Sequence, residues 1–335
     1  YGLNIKFKYK NAIKGFSAKL SAGALNGLMN NPNIAYIEQD QIMSANVTQT
    51  PVPSWGLDRI DQASLPLSGG FTYTADGTGV DAYIFDTGIL LEHSEFDGRA
   101  VGGFSSIVSN TNWTDQNGHG THVAGTVGGI NYGVAKKINL IAVRVLDAAG
   151  SGSTSGVVAG IDWAIAHHVI TKPAVGNMSL GGGASTAIDA AVNKAISDGI
   201  VMCVAAGNNG RSASNYSPAR VTNAITVGAT GFSARLSTYD AFASYSNSGS
   251  VVDILAPGSG ITSAWIGSAT AVKTISGTSM ATPHVAGVVG LYLSKNLLQI
   301  PSPAAVQTAL KSAATLNIIS GVPRGTVNSL LNTKY

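Results

Sequence analysis

The sequence predicts an α/β protein, with a mostly parallel central sheet covered by helices on both faces and a small α+β segment in front of it. Three observations predict it. Beyond Trp55, short strands alternate with helical segments. Those strands are uninterrupted Val/Ile/Leu runs, the pattern of strands buried on both faces under crossover helices. The composition also shifts near residue 50, where a lysine-bearing stretch gives way to the polar, twice proline-interrupted "VTQTPVPS". That stretch suits an extended linker.

Residues 1–45 read as strand, helix, strand. "NIKFKYK" alternates apolar and polar positions, as a half-buried strand does. "SAGALNGLMNN" is a helix with Ser21 as its cap and Asn-Pro as its stop. "IAYIEQD" is a second alternating strand. After the linker, "VDAYIFD" is a strand ending at Asp86, and "HGTHVAGTVGGI" opens a helix of small residues. "INLIAVRVLD" is a strand, "TSGVVAGIDWAIAHH" a helix, "AVGNMSL" a strand and "STAIDAAVNKAISDG" a helix. "IVMCVAAGN", "AITVGAT" and "VVDILAPG" are further strands, and two helices follow from Ser279 and Pro303. In such sheets a ligand lies beyond the carboxyl ends of the strands. Asp86, Ser179 and Asn208 all fall there.

The totals exclude several classes. With 44% apolar and 11% charged residues among 335, the chain has the material for a large core and no signature of disorder. A net charge of +3 without a basic cluster leaves no footprint for nucleic acid. No apolar run reaches the roughly 18 residues of a membrane span. The lone cysteine, Cys203, allows no intrachain disulfide, so bound calcium is a candidate for holding the loops of a secreted chain. Tyr1 is neither a methionine nor part of a basic-then-apolar leader. The expectation is therefore a signal peptide already removed, or a start inside a longer precursor. Asn46, Asn112 and Asn215 stand in acceptor motifs that permit glycosylation.

Four residues could carry chemistry. Asp86 in "FDTGI" ends an apolar strand, and a buried carboxylate demands a hydrogen-bonding partner. Read alone it is a turn-forming Asp, and an aspartic-protease mechanism would need a second Asp-Thr-Gly that the chain lacks. His119 in "NGHGTHVAG" has glycines on both sides, which leave an imidazole open. His119 with His122 also has the spacing of a zinc pair, although no further ligand stands nearby. Asn208 after "VAAG" reads as a turn residue or as an amide donor aimed at an oxyanion. Ser279 in "SGTSMATPHVAG" reads as a helix cap or as a nucleophile at the positive end of a buried helix. Pro283 is expected in the first turn of that helix. Singly, each plain reading wins. Together the four supply an orienting acid, a base, an oxyanion donor and a nucleophile at one side of the sheet.

The segments "DTGI", "NGHGTHVAG", "NMSLGGG", "VAAGNN" and "SGTSMATPHVAG" together resemble the subtilisin-like serine proteases, most nearly their proteinase K branch. The resemblance runs from Trp55 to about Leu293 and implies the subtilisin-like three-layer fold. It also implies a secreted, extracellular, monomeric serine endopeptidase that acts on peptide and protein substrates. By that resemblance Ser279 attacks, His119 takes the proton and Asp86 orients the imidazole. Asn208 and the Ser279 N–H hold the oxyanion. Gly150, Ser151, Gly152 and Ser153, and Ser179, Leu180, Gly181 and Gly182, would be strands that clamp the substrate. Ala205, Ala206 and Gly207 would wall a pocket for apolar or aromatic side chains. Residues 1–46 resemble part of an inhibitory propeptide, leaving 47–335 as the peptidase domain. Self-cleavage would fall near Ala45–Val47, with the released segment as intramolecular inhibitor. The implied cofactor is structural calcium at Asp253 and the carbonyls of Thr222 and Ala224, with no organic cofactor. Asp58, Asp61 and Gln62 form a second candidate, in which Ser68 replaces an expected carboxylate. Residues 230–249 exceed their family counterpart and are expected to form a surface loop.

Overall fold

Strand β1, Asp81–Asp86, shows how the sheet is built. Ala82 and Ile84 enter one hydrophobic core while Tyr83 and Phe85 enter a second. Successive side chains of a strand point to opposite faces, so β1 must be covered on both. In the strand Ile200–Ala205, Val201 and Cys203 likewise join the first core and Ile200, Met202 and Val204 the second. This is the double coverage expected of continuous apolar strands.

The structure is a computed structural model that describes residues 4–38, 47–107, 112–234 and 238–334. Its chain separates into two compact units, Tyr1–Ala45 and Asn46–Tyr335. The first unit holds an antiparallel hairpin, Asn4–Tyr9 with Gly15–Lys19, and a helix Ala22–Met29 whose first turn is capped by Ser21. The second strand expected in this unit is not formed over 34–38, where Tyr36 and Ile37 stand exposed without a ladder partner among the described residues. The rest of that expected strand, residues 45 and 46 of the expected cleavage stretch Ala45–Val47 and the Asn46 acceptor lie outside the described residues.

The second unit is built on a 10-stranded sheet. Besides β1, it contains β2 (Ala100–Ser105), β3 (Asn139–Arg144), β4 (Ala174–Met178), β5 (Ile200–Ala205) and β6 (Ile225–Ser233). It continues with β7 (Thr238–Phe242), β8 (Ile254–Pro257), β9 (Thr315–Leu316) and β10 (Ser329–Leu330). The order across the sheet is β9-β10-β8-β6-β5-β4-β1-β3-β2, with β7 also on β6. From β10 to β2 along that order every pairing is parallel, and only β9 and β7 pair antiparallel. Helices α1 (His119–Gly128), α4 (Thr278–Lys295) and α5 (Pro303–Ala313) feed the first core. Helices α2 (Thr154–His167) and α3 (Thr186–Ser197) feed the second.

Two expectations change here. The stretch 230–249 is not a free loop: Thr238–Phe242 adds a strand to β6. Asp240 takes a bidentate contact from the buried Arg59 guanidinium, at 2.7 and 3.2 Å, and Tyr239 packs on Trp55. Residues 150–153 are not a strand either. Asp147 accepts the amides of Ala149 and Ser151, which folds the segment into a turn, and Ser153 caps α2 through the Gly156 amide.

Candidate active site

Asp86 ends β1 and is fully buried. Its Oδ1 accepts the Thr87 amide at 2.8 Å and lies 2.8 Å from His119 Nδ1. His119 is the first residue of α1, and Gly118 before it has φ 104°, a left-handed conformation that favours glycine. Gly120 serves approach rather than clearance: a Cβ there would lie 3.1 Å from the Cβ of Asp86. Burial lowers the His119 pKa, but the charge and hydrogen bond of Asp86, with Asp115 behind, outweigh it and hold the value above 6.5. A hydrogen bond from Nδ1–H to the carboxylate leaves Nε2 as the free acceptor of the neutral ring.

Asp115 fixes this corner, although no sequence motif marks it. Its buried carboxylate accepts the Thr87 hydroxyl, the amides of Asn117, Gly118 and Thr121, and the Thr121 hydroxyl, all within 2.9 Å. Thr87 in turn accepts the Gly120 amide at 2.9 Å. The turn before α1 and the turn after β1 are thus one hydrogen-bonded unit. His122 belongs to the core instead: Nε2 contacts the carbonyls of Ile261 and Lys273, and burial lowers its pKa to about 4. Among the described residues no cluster of His, Cys, Asp or Glu has the makings of a metal site, so the zinc reading of this pair has no partner.

Ser279 is the second residue of α4, a helix buried along almost its whole length. Pro283 lies in its second turn, not its first. Lacking an N–H, Pro283 cannot satisfy the carbonyl four residues before it, which is that of Ser279. The Ser179 hydroxyl takes over, donating to Ser279 O at 2.8 Å, while Asn177 Nδ2 donates to Ser179 Oγ at 2.9 Å. Ser279 Oγ returns a hydrogen bond to Ser179 O at 3.1 Å. No hydrogen bond joins it to His119 among the described residues.

Asn208 follows β5 and Gly207, whose φ is 101°. Its Oδ1 accepts both the Thr278 amide, at 2.8 Å, and the Thr278 hydroxyl, at 2.9 Å. Two donors on one oxygen fix the amide flip and leave Nδ2 as the unpaired end. A Cβ built on Gly277 would be 3.4 Å from Asn208 Nδ2 and 3.6 Å from the Ser279 amide nitrogen. Both donors therefore border the small space that a side chain at Gly277 would fill. The loop is held from below by Asn247, whose Oδ1 accepts the amides of Asn209 and Arg211.

Of the other expected contact residues, Gly181, Gly182 and 150–153 are exposed. Gly182 and Gly183 pair with Ser217 and Tyr216. Ala205 is buried within β5. Ala206 has its side chain fully buried, its amide on Val227 O and its carbonyl on Asn247 Nδ2.

The class to which the fold and its relatives assign the chain is the serine proteases. The family model for subtilases matches residues 77–331, and the model for the I9 peptidase inhibitors matches residues 3–46. The chain belongs to the subtilase family. It is 52% identical over 334 residues to an extracellular serine proteinase of Thermus sp. (strain Rt41A), across 100% of this chain and 79% of that one. It is 49% identical over 337 residues to alkaline serine exoprotease A of Vibrio alginolyticus, across 99% of this chain and 60% of that one. A crystal structure of a cold adapted subtilisin-like serine proteinase superposes with a TM-score of 0.79 at 49% identity, covering 85% of this chain and 100% of that one. The chain is a subtilisin-like serine protease that carries an I9 inhibitor segment.

Subtilases commonly bind structural calcium. Of the three implied ligands, Asp253 and the Ala224 carbonyl are already taken by this chain's own groups, so the set, Thr222 included, does not fit such an ion. Asp253 Oδ1 contacts the Lys311 ammonium at 2.9 Å, its Oδ2 accepts the Thr226 amide at 2.9 Å, and Ala224 O accepts Gln307 Nε2 at 3.1 Å. Calcium asks for about six to eight oxygens at about 2.3–2.6 Å. At the second candidate, the Asp58 carboxylate is taken by the amides of Ser68 and Gly69 and the Ser68 hydroxyl, and Asp61 Oδ2 by the Thr72 amide.

Proposed function

We propose that the chain is an endopeptidase whose nucleophile is Ser279. The reading rests above all on two donors without a partner among the described residues, Asn208 Nδ2 and the Ser279 amide, which border one space at Gly277. On substrate binding the hydroxyl leaves the Ser179 carbonyl and turns to His119 Nε2. Catalytic hydrogen bonds often tighten only in the complex. Ser279 Oγ then bonds to the scissile carbonyl carbon as its proton passes to His119 Nε2. The carbonyl oxygen becomes an oxyanion facing the two donors. His119 gives the proton to the leaving amine, the C–N bond breaks, and water repeats the sequence to release the acid and restore the hydroxyl. Asp86 holds the tautomer with the proton on Nδ1 and stabilises the imidazolium.

The substrate runs extended along 179–182 by backbone pairing, with the turn at 150–153 flanking it on the other side. The primary pocket, bounded by Ala205, Gly207 and the 180–182 segment, takes apolar or aromatic side chains because no charged residue stands in those stretches. Residues 1–46 are the inhibitory segment, cut by the same site to leave 47–335 as a secreted, monomeric enzyme. The test is labelling of the purified protein by a fluorophosphonate probe. Stoichiometric label on Ser279, lost in Ser279→Ala together with self-cleavage, supports the reading. Self-cleavage of Ser279→Ala at the parent rate defeats it.

A further inference from the structure

We propose that the ammonium of Lys311, with the Gln307 amide beside it, takes the place of a divalent cation at Asp253 and Ala224, so that this corner of the fold is held without calcium. The argument begins with α5. Val306 and Leu310 sit fully in the first core and fix the rotation of the helix. Gln307 and Lys311 are one turn apart and therefore share a neighbouring face. Gln307 Nε2 donates to the Ala224 carbonyl at 3.1 Å, and Lys311 Nζ donates to Asp253 Oδ1 at 2.9 Å.

These are the two requirements a bound cation would meet, positive charge for a carboxylate and an electrophilic partner for a strand-end carbonyl. Asp253 is mostly covered, with 13% of its side chain exposed, against 47% for Lys311. A carboxylate so covered needs a counter-charge. Its other oxygen is committed to the Thr226 amide, and the Asp253 amide donates back to Thr226 O at 2.9 Å. A calcium ion could enter only by displacing Lys311, because two cations against one carboxylate oxygen repel. The contacts bridge 58 and 83 residues of sequence. They tie the start of β8 and the start of β6 to the C-terminal helix.

The test compares three purified proteins in a Ser279→Ala background, which prevents self-digestion: the parent, Asp253→Asn and Lys311→Met. Asparagine keeps an acceptor for the Thr226 amide while removing the charge, and methionine keeps the packing of the lysine stem. Calcium bound after chelator treatment is counted by equilibrium dialysis against calcium alone, and Tm is measured in chelator. The proposal expects the parent and Asp253→Asn to bind the same number of ions. It also expects Lys311→Met to melt about 2 °C lower than the parent in chelator. One ion fewer in Asp253→Asn would place calcium at that carboxylate and overturn it. An unchanged Tm in Lys311→Met would overturn it as well.

Discussion

Replacing Asn208 separates its two roles. The side chain spends its oxygen on Thr278, at 2.8 and 2.9 Å, and the proposed function assigns its nitrogen to the oxyanion. Asn208→Ala removes both functions. Loss of an oxyanion donor lowers kcat by about 10²–10³, the figure known for such a donor in a subtilisin, or about 2.7–4 kcal/mol at the barrier. It also strands the Thr278 amide and hydroxyl, and buried donors left without acceptors cost about 1–3 kcal/mol each. Thr278 is fully buried, so the loss is felt in stability. Asn208→Asp keeps the acceptor and replaces the NH2 with a second oxygen. The Thr278 bonds then survive, while a negative charge faces the developing oxyanion. Steady-state kinetics on a short peptide anilide and a thermal melt read the two roles separately. Both variants should lose kcat with KM little changed, because the donor acts in the transition state. Only Asn208→Ala should lose several degrees of Tm. If Asn208→Asp retained kcat within a factor of three of the parent (roughly 0.7 kcal/mol), the oxyanion assignment would be refuted.

Further expectations follow from the same geometry. Because the His119 pKa is held above 6.5, and the base must be neutral, kcat/KM should rise with pH through a midpoint above 6.5. Asp86→Asn removes the carboxylate charge that outweighs burial at the imidazole, so that midpoint should fall below 6.5 while kcat drops about 10⁴-fold; an unmoved midpoint would exclude His119 as the base. The linked stability has the opposite sign. A raised folded pKa favours the protonated native state, so this contribution is whole below pH 6.5 and fades as pH rises through the folded value, which denaturant melts of Ser279→Ala across that window should register. Ser279→Ala itself should lower turnover by about 10⁶, the scale known for a subtilisin serine, as read by casein hydrolysis. Gly56→Ala should lower Tm by several degrees without touching kcat. Its methyl would lie 2.9 Å from His284 Cε1 and 3.1 Å from the Pro257 Cβ, and the buried His284 ring is held by its bond to Met280 O.

The sheet and its helices were legible because their signal is local: Val/Ile/Leu runs bounded by Gly, Asn and Asp. Asp86, His119, Asn208 and Ser279 were legible as strand-end and helix-start polar residues, which only gain meaning as a set. What escaped depends on partners far away in the chain. Nothing in "TYDAF" announces a strand until Arg59, 181 residues earlier, is seen on Asp240. Asp115 looks like an ordinary loop acid, although its place four residues before His119 is a usable hint. Thr278 and Asn247 act by holding the amide of Asn208 and the turn around it, and no spacing rule marks them. The segment 150–153 reads as a strand by resemblance, but Asp147 turns it back on itself. Lys311 draws no attention because a lysine near a helix end is ordinary.

The alternation along Asp81–Asp86 has a consequence for how the sequence tolerates change. Ile84 faces one core, Phe85 the other, and Asp86 meets His119 only because the count between them is kept. Inserting or deleting a single residue within that strand would exchange its inward sets and swing the acid to the wrong side. Length variation should therefore collect in the exposed turns, while this stretch accepts replacements but never a change of frame.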